Sequence, residues 1–393
     1  MEPSFVFTKL DAGLAGIATF LFIIQAAYYM IAYARPLRTA RKRPSERQVT
    51  PYPPVSIIVY AKNESENLRK HLPDLLTQEY PVYEVIVIND GSTDESDEVL
   101  KTLSHEYKHL YHTYIPEDAK YLSRKKLSLT LGIKAAQYDL LLFTEANCRP
   151  FTPRWIQAMA GAYRSDATAI VLGFCAYRHY KGFFHKLVAY DNLFTGLQAL
   201  SSALTRHPYT GNGRNLSYRK YLFFEQKGYS HSLYLHAGDD DLFINEAATG
   251  ENTEAAYTPD SLTEMAPIEY FSMWKEMKVS RAATQKYYKG KQLAFYRAGE
   301  TSFFLFFLSV IAVVAQGVQG NLWLAVGGLS LYLFHYLLKA VLFYRSARLL
   351  GQKPLLGWLP LLELAQPVFN LYVRVYRLFR GQKDYTFRLG NTR

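Results

Sequence analysis

Two short apolar runs, each broken off by an acidic turn, set the strongest limit on how this chain can fold. The first is Val85-Ile86-Val87-Ile88-Asn89, followed by Asp90-Gly91-Ser92-Thr93-Asp94. The second is Leu140-Leu141-Leu142-Phe143-Thr144, followed by Glu145-Ala146-Asn147-Cys148. Such runs suit strands buried on both faces, as in a parallel sheet covered by helices. Open α/β sheets present their ligand-binding groups at the carboxyl ends of their strands, where these acids stand.

The surrounding pattern agrees. Between about residues 53 and 292 the spacing predicts strands at 55–60, 84–89, 112–115 and 139–144, and helices at 65–78, 94–103 and 125–137. This alternation implies an α/β domain with a mostly parallel sheet. The turn after the first strand, Ala61-Lys62-Asn63-Glu64, contains no glycine, and no P-loop is present. Both facts argue against a dinucleotide-binding or P-loop domain.

Apolar segments flank this domain. Residues 12–34 carry no charge and are interrupted only by Thr19 and Gln25, a run long enough to cross a hydrocarbon core of about 30 Å. A cleaved signal peptide is the weaker reading. The run exceeds a usual h-region, lacks a basic n-region, and is followed by Arg35, Arg38, Arg41, Lys42 and Arg43. Two more spans are expected at 302–318 and 322–344, joined by a tight Gln319-Gly320-Asn321 turn. Residues 355–372 are apolar but contain Pro360, Glu363 and Pro367. They read as an interfacial or re-entrant segment, with a fourth span as the alternative. The formal net charge of +11 therefore gathers beside apolar segments, which fits positive-inside topology and membrane lipids and not nucleic acid. Cys148 and Cys175, the two cysteines, give no disulfide framework and fit a reducing, cytoplasmic face. The expected organisation is an N-terminal transmembrane helix (1–34), a basic linker (35–52), a cytoplasmic domain (53–292), a C-terminal membrane region (293–378) and a basic tail (379–393).

The acids carry the chemistry. Asp90 precedes a glycine turn, where its carboxylate can accept hydrogen bonds from a uracil imide or a ribose hydroxyl, whereas Asp94 reads as a helix cap. Glu145 and Asn147 stand two apart and, if extended, project to one side, where with diphosphate oxygens they can hold Mg²⁺ or Mn²⁺. Gly238-Asp239-Asp240-Asp241 crowds three carboxylates ahead of a helical pattern, an arrangement that raises one pKa and suits a general base. Lys278 and Arg281 share a helix face. With Trp274 and Lys275 they form a cationic, aromatic surface suited to a diphosphate or, equally, to anionic lipid.

In this order the motifs resemble those of membrane-bound family 2 glycosyltransferases with a GT-A domain. Val55-Ser56-Ile57-Ile58-Val59-Tyr60-Ala61-Lys62-Asn63-Glu64 resembles the opening strand and Asn-Glu turn, and Gln78-Glu79-Tyr80-Pro81 followed by Ile88–Asp94 is a highly specific match. Lys126 resembles the nucleotide-contacting lysine. Glu145-Ala146-Asn147 takes the D-x-D place, Gly211–Arg219 resembles the acceptor-side loop, and Gly238–Asp241 resembles the segment of the catalytic base. Lys278-Val279-Ser280-Arg281-Ala282 keeps only the arginine of the Q-x-x-R-W motif found in processive members.

The resemblance implies an inverting transferase that uses a nucleotide sugar, expected to be UDP-linked, at the inner membrane. Glu64, Asp90, Lys126, Glu145 and Lys278 would bind the donor, and Glu145 and Asn147 the Mg²⁺ or Mn²⁺. Asp240, or Asp239 one residue earlier, would be the base, with Arg281 on the leaving diphosphate. The acceptor would be lipid-linked or a glycan, added to once or a few times. A processive synthase and a catalytically silent nucleotide-sugar-binding protein are the other two readings.

Overall fold

The structure, a computed structural model, describes residues 8–41, 52–115, 123–178 and 181–379. Part of the basic linker and nearly all of the basic tail lie outside the described residues.

The N-terminal apolar run forms α1 (Lys9–Ala27), a π-helical turn (Tyr28–Tyr33) and short α2 (Arg35–Ala40). The alternation that follows gives β1 (Val55–Ala61), α3 (Ser65–Leu76), β2 (Tyr83–Asn89), α4 (Ser96–Glu106), β3 (Leu110–Tyr114), α5 (Arg124–Ala135) and β4 (Leu140–Glu145). Each of the seven predicted elements is present, its ends displaced by at most three residues. β1 pairs in parallel with β2 and β4, and β2 with β3.

The uninterrupted apolar runs have a direct cause. Ile57, Val59, Val85 and Val87 pack into one core and Ile58, Ile86 and Ile88 into another, so both faces of the pleat are buried. Leu68, Leu72, Leu75 and Leu76 of α3 cover the first core at helical spacing.

Further along come β5 (Cys148–Pro150), α6 (Trp155–Ala160), β6 (Ile170–Leu172), β7 (Cys175–Tyr177), α7 (Gly182–Leu204), β8 (Leu216–Arg219), α8 (Lys220–Glu225), α9 (Asp241–Ala247), β9 (Thr253–Ala255) and β10 (Thr263–Met265). The main sheet has the order β3-β2-β1-β4-β8-β6-β9, with β8 antiparallel to β4 and β6. A small second sheet, β5-β10-β7, brings the Cys148 and Cys175 sulfurs to 3.9 Å as free, buried thiols.

The C-terminal part is α10 (Phe271–Thr284), α11 (Gln292–Gln319), α12 (Leu322–Leu349) and α13 (Leu359–Phe379). Among the described residues three helical stretches are long and apolar enough to cross a membrane: Lys9–Tyr33, Gln292–Gln319 and Leu322–Leu349. The α11–α12 turn falls at Gly320-Asn321, where Asn321 caps α12. Gln25 Nε2 donates to Gly299 O at 3.0 Å, fastening α1 to α11.

α13 runs through Pro367 without breaking. Its Glu363 is 2% exposed and is paired with the buried Lys339 of α12, which fastens α13 beneath the bundle. Glu363, which counts in sequence against a full span, is therefore accommodated by a partner that only the folded bundle supplies.

Candidate active site

The turns after β1 and β2 are laced together. Asn63 N–H donates to Ser92 Oγ (2.9 Å) and Thr93 N–H to Asn63 Oδ1 (2.9 Å). Asn63 and Gly91 both take positive φ, 53° and 65°, which asparagine and glycine tolerate best. The Asp94 carboxylate accepts from the amides of Ser65 (2.9 Å) and Ser96 (3.1 Å), so it caps, as expected of it. Asp90 is 1% exposed; its carboxylate accepts from Tyr60 OH (2.7 Å) and Arg124 Nε (2.8 Å).

At the end of β4, Glu145 accepts from Lys125 Nζ at 2.8 Å and from Arg214 Nε at 3.1 Å. Lys125 also reaches Asp239 at 3.3 Å, so one ammonium bridges the strand-end acid and the Asp239–Asp241 run. Although burial opposes charge, these two cations lower the Glu145 pKa to about 2, and the carboxyl stays ionised. Burial also disfavours the Lys125 charge, but Asp239 and Glu145 outweigh it and hold the ammonium protonated.

The three adjacent aspartates are in different positions. Asp241 is 3% exposed and saturated: it accepts from Leu242 N–H (2.8 Å), Thr284 Oγ (2.5 Å) and Tyr288 OH (2.8 Å). It ties α9 to α10. Asp239 is buried against Lys125, and burial, together with the neighbouring Asp240 charge, raises its pKa. Asp240 caps α9 and is the least buried of the three; its Oδ2 accepts from Gly213 N–H at 2.9 Å. Glu145, Asp239 and Asp240 thereby share one small cavity with Tyr60, Lys125 and Gly213.

Not every residue singled out in the sequence enters this cavity. Lys126 is fully buried and turned away, donating to Ser232 O (2.5 Å), Ser232 Oγ (3.1 Å) and Leu235 O (3.2 Å). The lysine between the carboxylates is Lys125. On a helix, consecutive residues point about 100° apart, and the sequence alone does not say which faces the cleft. Lys278 donates to Asp191 Oδ1 (2.7 Å) in a separate, larger cavity, and Arg281 to Gly211 O (2.8 Å), with Nε 3.9 Å from Asp241. Glu64 accepts from Asn67 Nδ2 (2.5 Å); burial, then the Glu145 and Asp94 charges, raise its pKa. Asn147 Oδ1 accepts from the Cys148 thiol at 3.3 Å. Trp274 is 3% exposed inside an aromatic cluster with Phe184, Phe271 and Phe369, so it offers no open stacking platform. Arg124, Lys125 and Arg214 escaped the sequence reading; their only signal was adjacency to motifs.

Among the described residues no three His, Cys, Asp or Glu side chains are grouped as a metal site. Glu145, an ionised carboxylate already bearing two cations, has the chemistry of a hard-cation ligand, and most of the remaining ligands would have to come from a bound diphosphate.

The Glu145 ion pairs make a pH-dependent prediction. The folded-state pKa lies below the ordinary 4.5, so the stability from these pairs is fully present above that value and is lost as pH falls toward 2. Thermal melts of Glu145→Gln are expected to show a deficit at pH 7 that narrows through this acid window. A deficit that stays constant with pH would exclude the ion pairs as its cause.

Residues 56–222 match the model for "Glycosyl transferase family 2". The poly-beta-1,6-N-acetyl-D-glucosamine synthase of Staphylococcus epidermidis is 29% identical over 128 residues, 32% of this chain and 29% of that protein. Glycosyltransferase AglE of Haloferax volcanii is 32% identical over 108 residues, 27% of this chain and 34% of AglE. The matches thus span about a third or less of these relatives' lengths. The mannosyltransferase PcManGT from Pyrobaculum calidifontis, solved in complex with GDP-Man and Mn²⁺, superimposes with a TM-score of 0.59 at 16% identity, covering 93% of this chain and 99% of that one.

Proposed function

We propose that the protein is an inverting transferase of the family 2 type: residues 56–222 match that family's model and the fold is that of GT-A transferases. It moves a sugar from a nucleotide sugar, UDP-linked, to a lipid-linked or glycan acceptor at the cytoplasmic face of the cell membrane. The observation that carries this reading is the Lys125 bridge from Glu145 to Asp239, one residue from the half-exposed Asp240.

In this reading Asp90 and Glu64 hold the nucleoside. Asp240 removes the proton from the acceptor hydroxyl, whose oxygen bonds to the anomeric carbon in line as the bond to the diphosphate breaks. Lys125, Arg214 and Arg281 receive the negative charge that develops on the leaving diphosphate. Glu145 and Asn147 would hold Mg²⁺ or Mn²⁺, which when bound would supply positive charge toward the diphosphate. Excess chelator is expected to abolish transfer, and Asn147→Asp to tighten the metal requirement by adding charge to a hard-cation site. Full activity in chelator would remove Glu145 and Asn147 as ligands.

The basic residues at 35–41, just after the first candidate span, support a cytoplasmic domain by the positive-inside rule. Nucleotide release in native membranes across a panel of UDP-, GDP- and dTDP-sugars tests the function. Release from UDP-sugars is expected. No release from any would favour a silent binding protein, a reading that rests on the Glu-x-Asn replacement and on the altered Q-x-x-R-W motif.

A processive synthase is the other enzyme reading, and the Staphylococcus epidermidis relative is named a synthase. Ala282 stands where processive members have tryptophan, and Trp274 is buried. One or a few sugars per acceptor is therefore expected when the product is sized by mass spectrometry; a ladder reaching tens of sugars from a single binding event would make the synthase the better assignment.

A further inference from the structure

A cavity of about 130 Å³, larger than the one at Glu145, lies between α7, α10, α11 and α13. It begins at Gly211 and Tyr288, which touch Arg281 and Asp241, and runs toward the membrane helices. Its charges do not balance. Lys278 and Gln366 already satisfy Asp191, at 2.7 and 2.9 Å. Arg281 is engaged by Gly211 O and Asp241. Arg297 and Arg374 remain, with Glu300 as the carboxylate in the same wall.

Arg297 has Arg374 and Arg377 as repelling electrostatic neighbours and Glu300 as the attracting one. Its Nη2 donates to Gln285 Oε1 at 3.0 Å, but its Nε is buried and has no hydrogen-bond partner among the described residues. A buried guanidinium N–H without an acceptor is costly, and converging guanidinium groups match the several oxygens of a phosphate.

The cavity's position identifies what carries that phosphate. Arg297 lies five residues into α11, one of the three candidate spans. The opposite wall, α13, exposes Val368, Leu371 and Leu378, each at least 60% accessible. These residues lie on the face of α13 turned away from the cavity, so α13 sets a polar side against the cavity and an apolar side toward lipid, and a lipid headgroup can reach the cavity between the helices.

We infer that this cavity receives the phosphate headgroup of a lipid acceptor, with Arg297 and Arg374 as its counter-ions. The inference rests on the transferase reading and deepens it: the site would bring the acceptor's head to the Asp240–Arg281 end of the cavity.

Farnesyl phosphate is a suitable probe for the purified, full-length protein in nanodiscs. Its binding is expected to exceed that of farnesol by at least about 10-fold, from the charge-assisted contacts. Arg374→Gln, an exposed change on α13 that leaves the core intact, is expected to weaken farnesyl phosphate about 10-fold and leave UDP binding unchanged. Arg297→Gln should act in the same direction. Equal binding of farnesol and farnesyl phosphate, or no effect of Arg374→Gln, would overturn the site. Inorganic phosphate competing as well as farnesyl phosphate would overturn the lipid assignment. UDP binding, measured in parallel, reports on the transferase reading itself, so its failure is distinguishable from failure of the phosphate site.

Discussion

Asp240→Asn is expected to slow sugar transfer by about 10²–10⁴-fold while nucleotide affinity stays near wild type, because a general base acts in the transition state and not on the bound donor. The geometry favours Asp240 over its neighbours. Asp241 has its oxygens occupied by Leu242, Thr284 and Tyr288, and Asp239 is buried against Lys125. Asp240 is held by amides, from Gly213 and Asp241, and is the most accessible of the three. Single-turnover rates and UDP titration of Asp239→Asn and Asp240→Asn separate the roles. Normal transfer by Asp240→Asn with a dead Asp239→Asn would move the base by one residue, and near-normal transfer by both would remove the base assignment.

Lys125→Met and Lys126→Met are expected to fail in opposite ways. Loss of the Lys125 ammonium takes away a fixed positive charge between Glu145 and Asp239, and removal of one such group from a leaving-group site costs about 10²–10³ in rate. Its ion pairs are partly solvated, so the change in melting temperature should be modest. Lys126 has no access to the cleft. Its ammonium satisfies two backbone carbonyls and a hydroxyl of residues 232–235, each of which would be left buried without a donor at a cost of roughly 1–3 kcal/mol. Lys126→Met should therefore melt early and, below its melting temperature, retain turnover per folded molecule. The reverse pattern, with Lys126 needed for donor binding and Lys125 dispensable, would restore the assignment that the motif spacing suggested.

The pair shows where sequence reasoning stops. That helix α5 starts near Lys125 was readable from the pattern; which of two adjacent lysines faces the acids depended on how α5 is rotated against β1 and β2. The same holds for Asp239, Asp240 and Asp241. Their crowding was visible, but their separation into a Lys125 partner, a half-exposed cap and a saturated helix tie comes from Gly213, Thr284 and Tyr288, residues 26 or more positions away. Arg214 stood inside a recognised loop without a role until the antiparallel strand β8 brought that loop beside β4.

By itself, the sequence determined the parallel half of the sheet, the acidic turns at its strand ends and the positions of three apolar helices. These depend on local periodicity and on residues that suit buried strands, turns and spans. The tertiary structure alone decided which cations meet Glu145, that Lys278 belongs to the larger cavity, and that α13 is held by a buried ion pair to Lys339. Those are contacts between residues far apart in the chain, and no local pattern records how helices rotate and pack to make them.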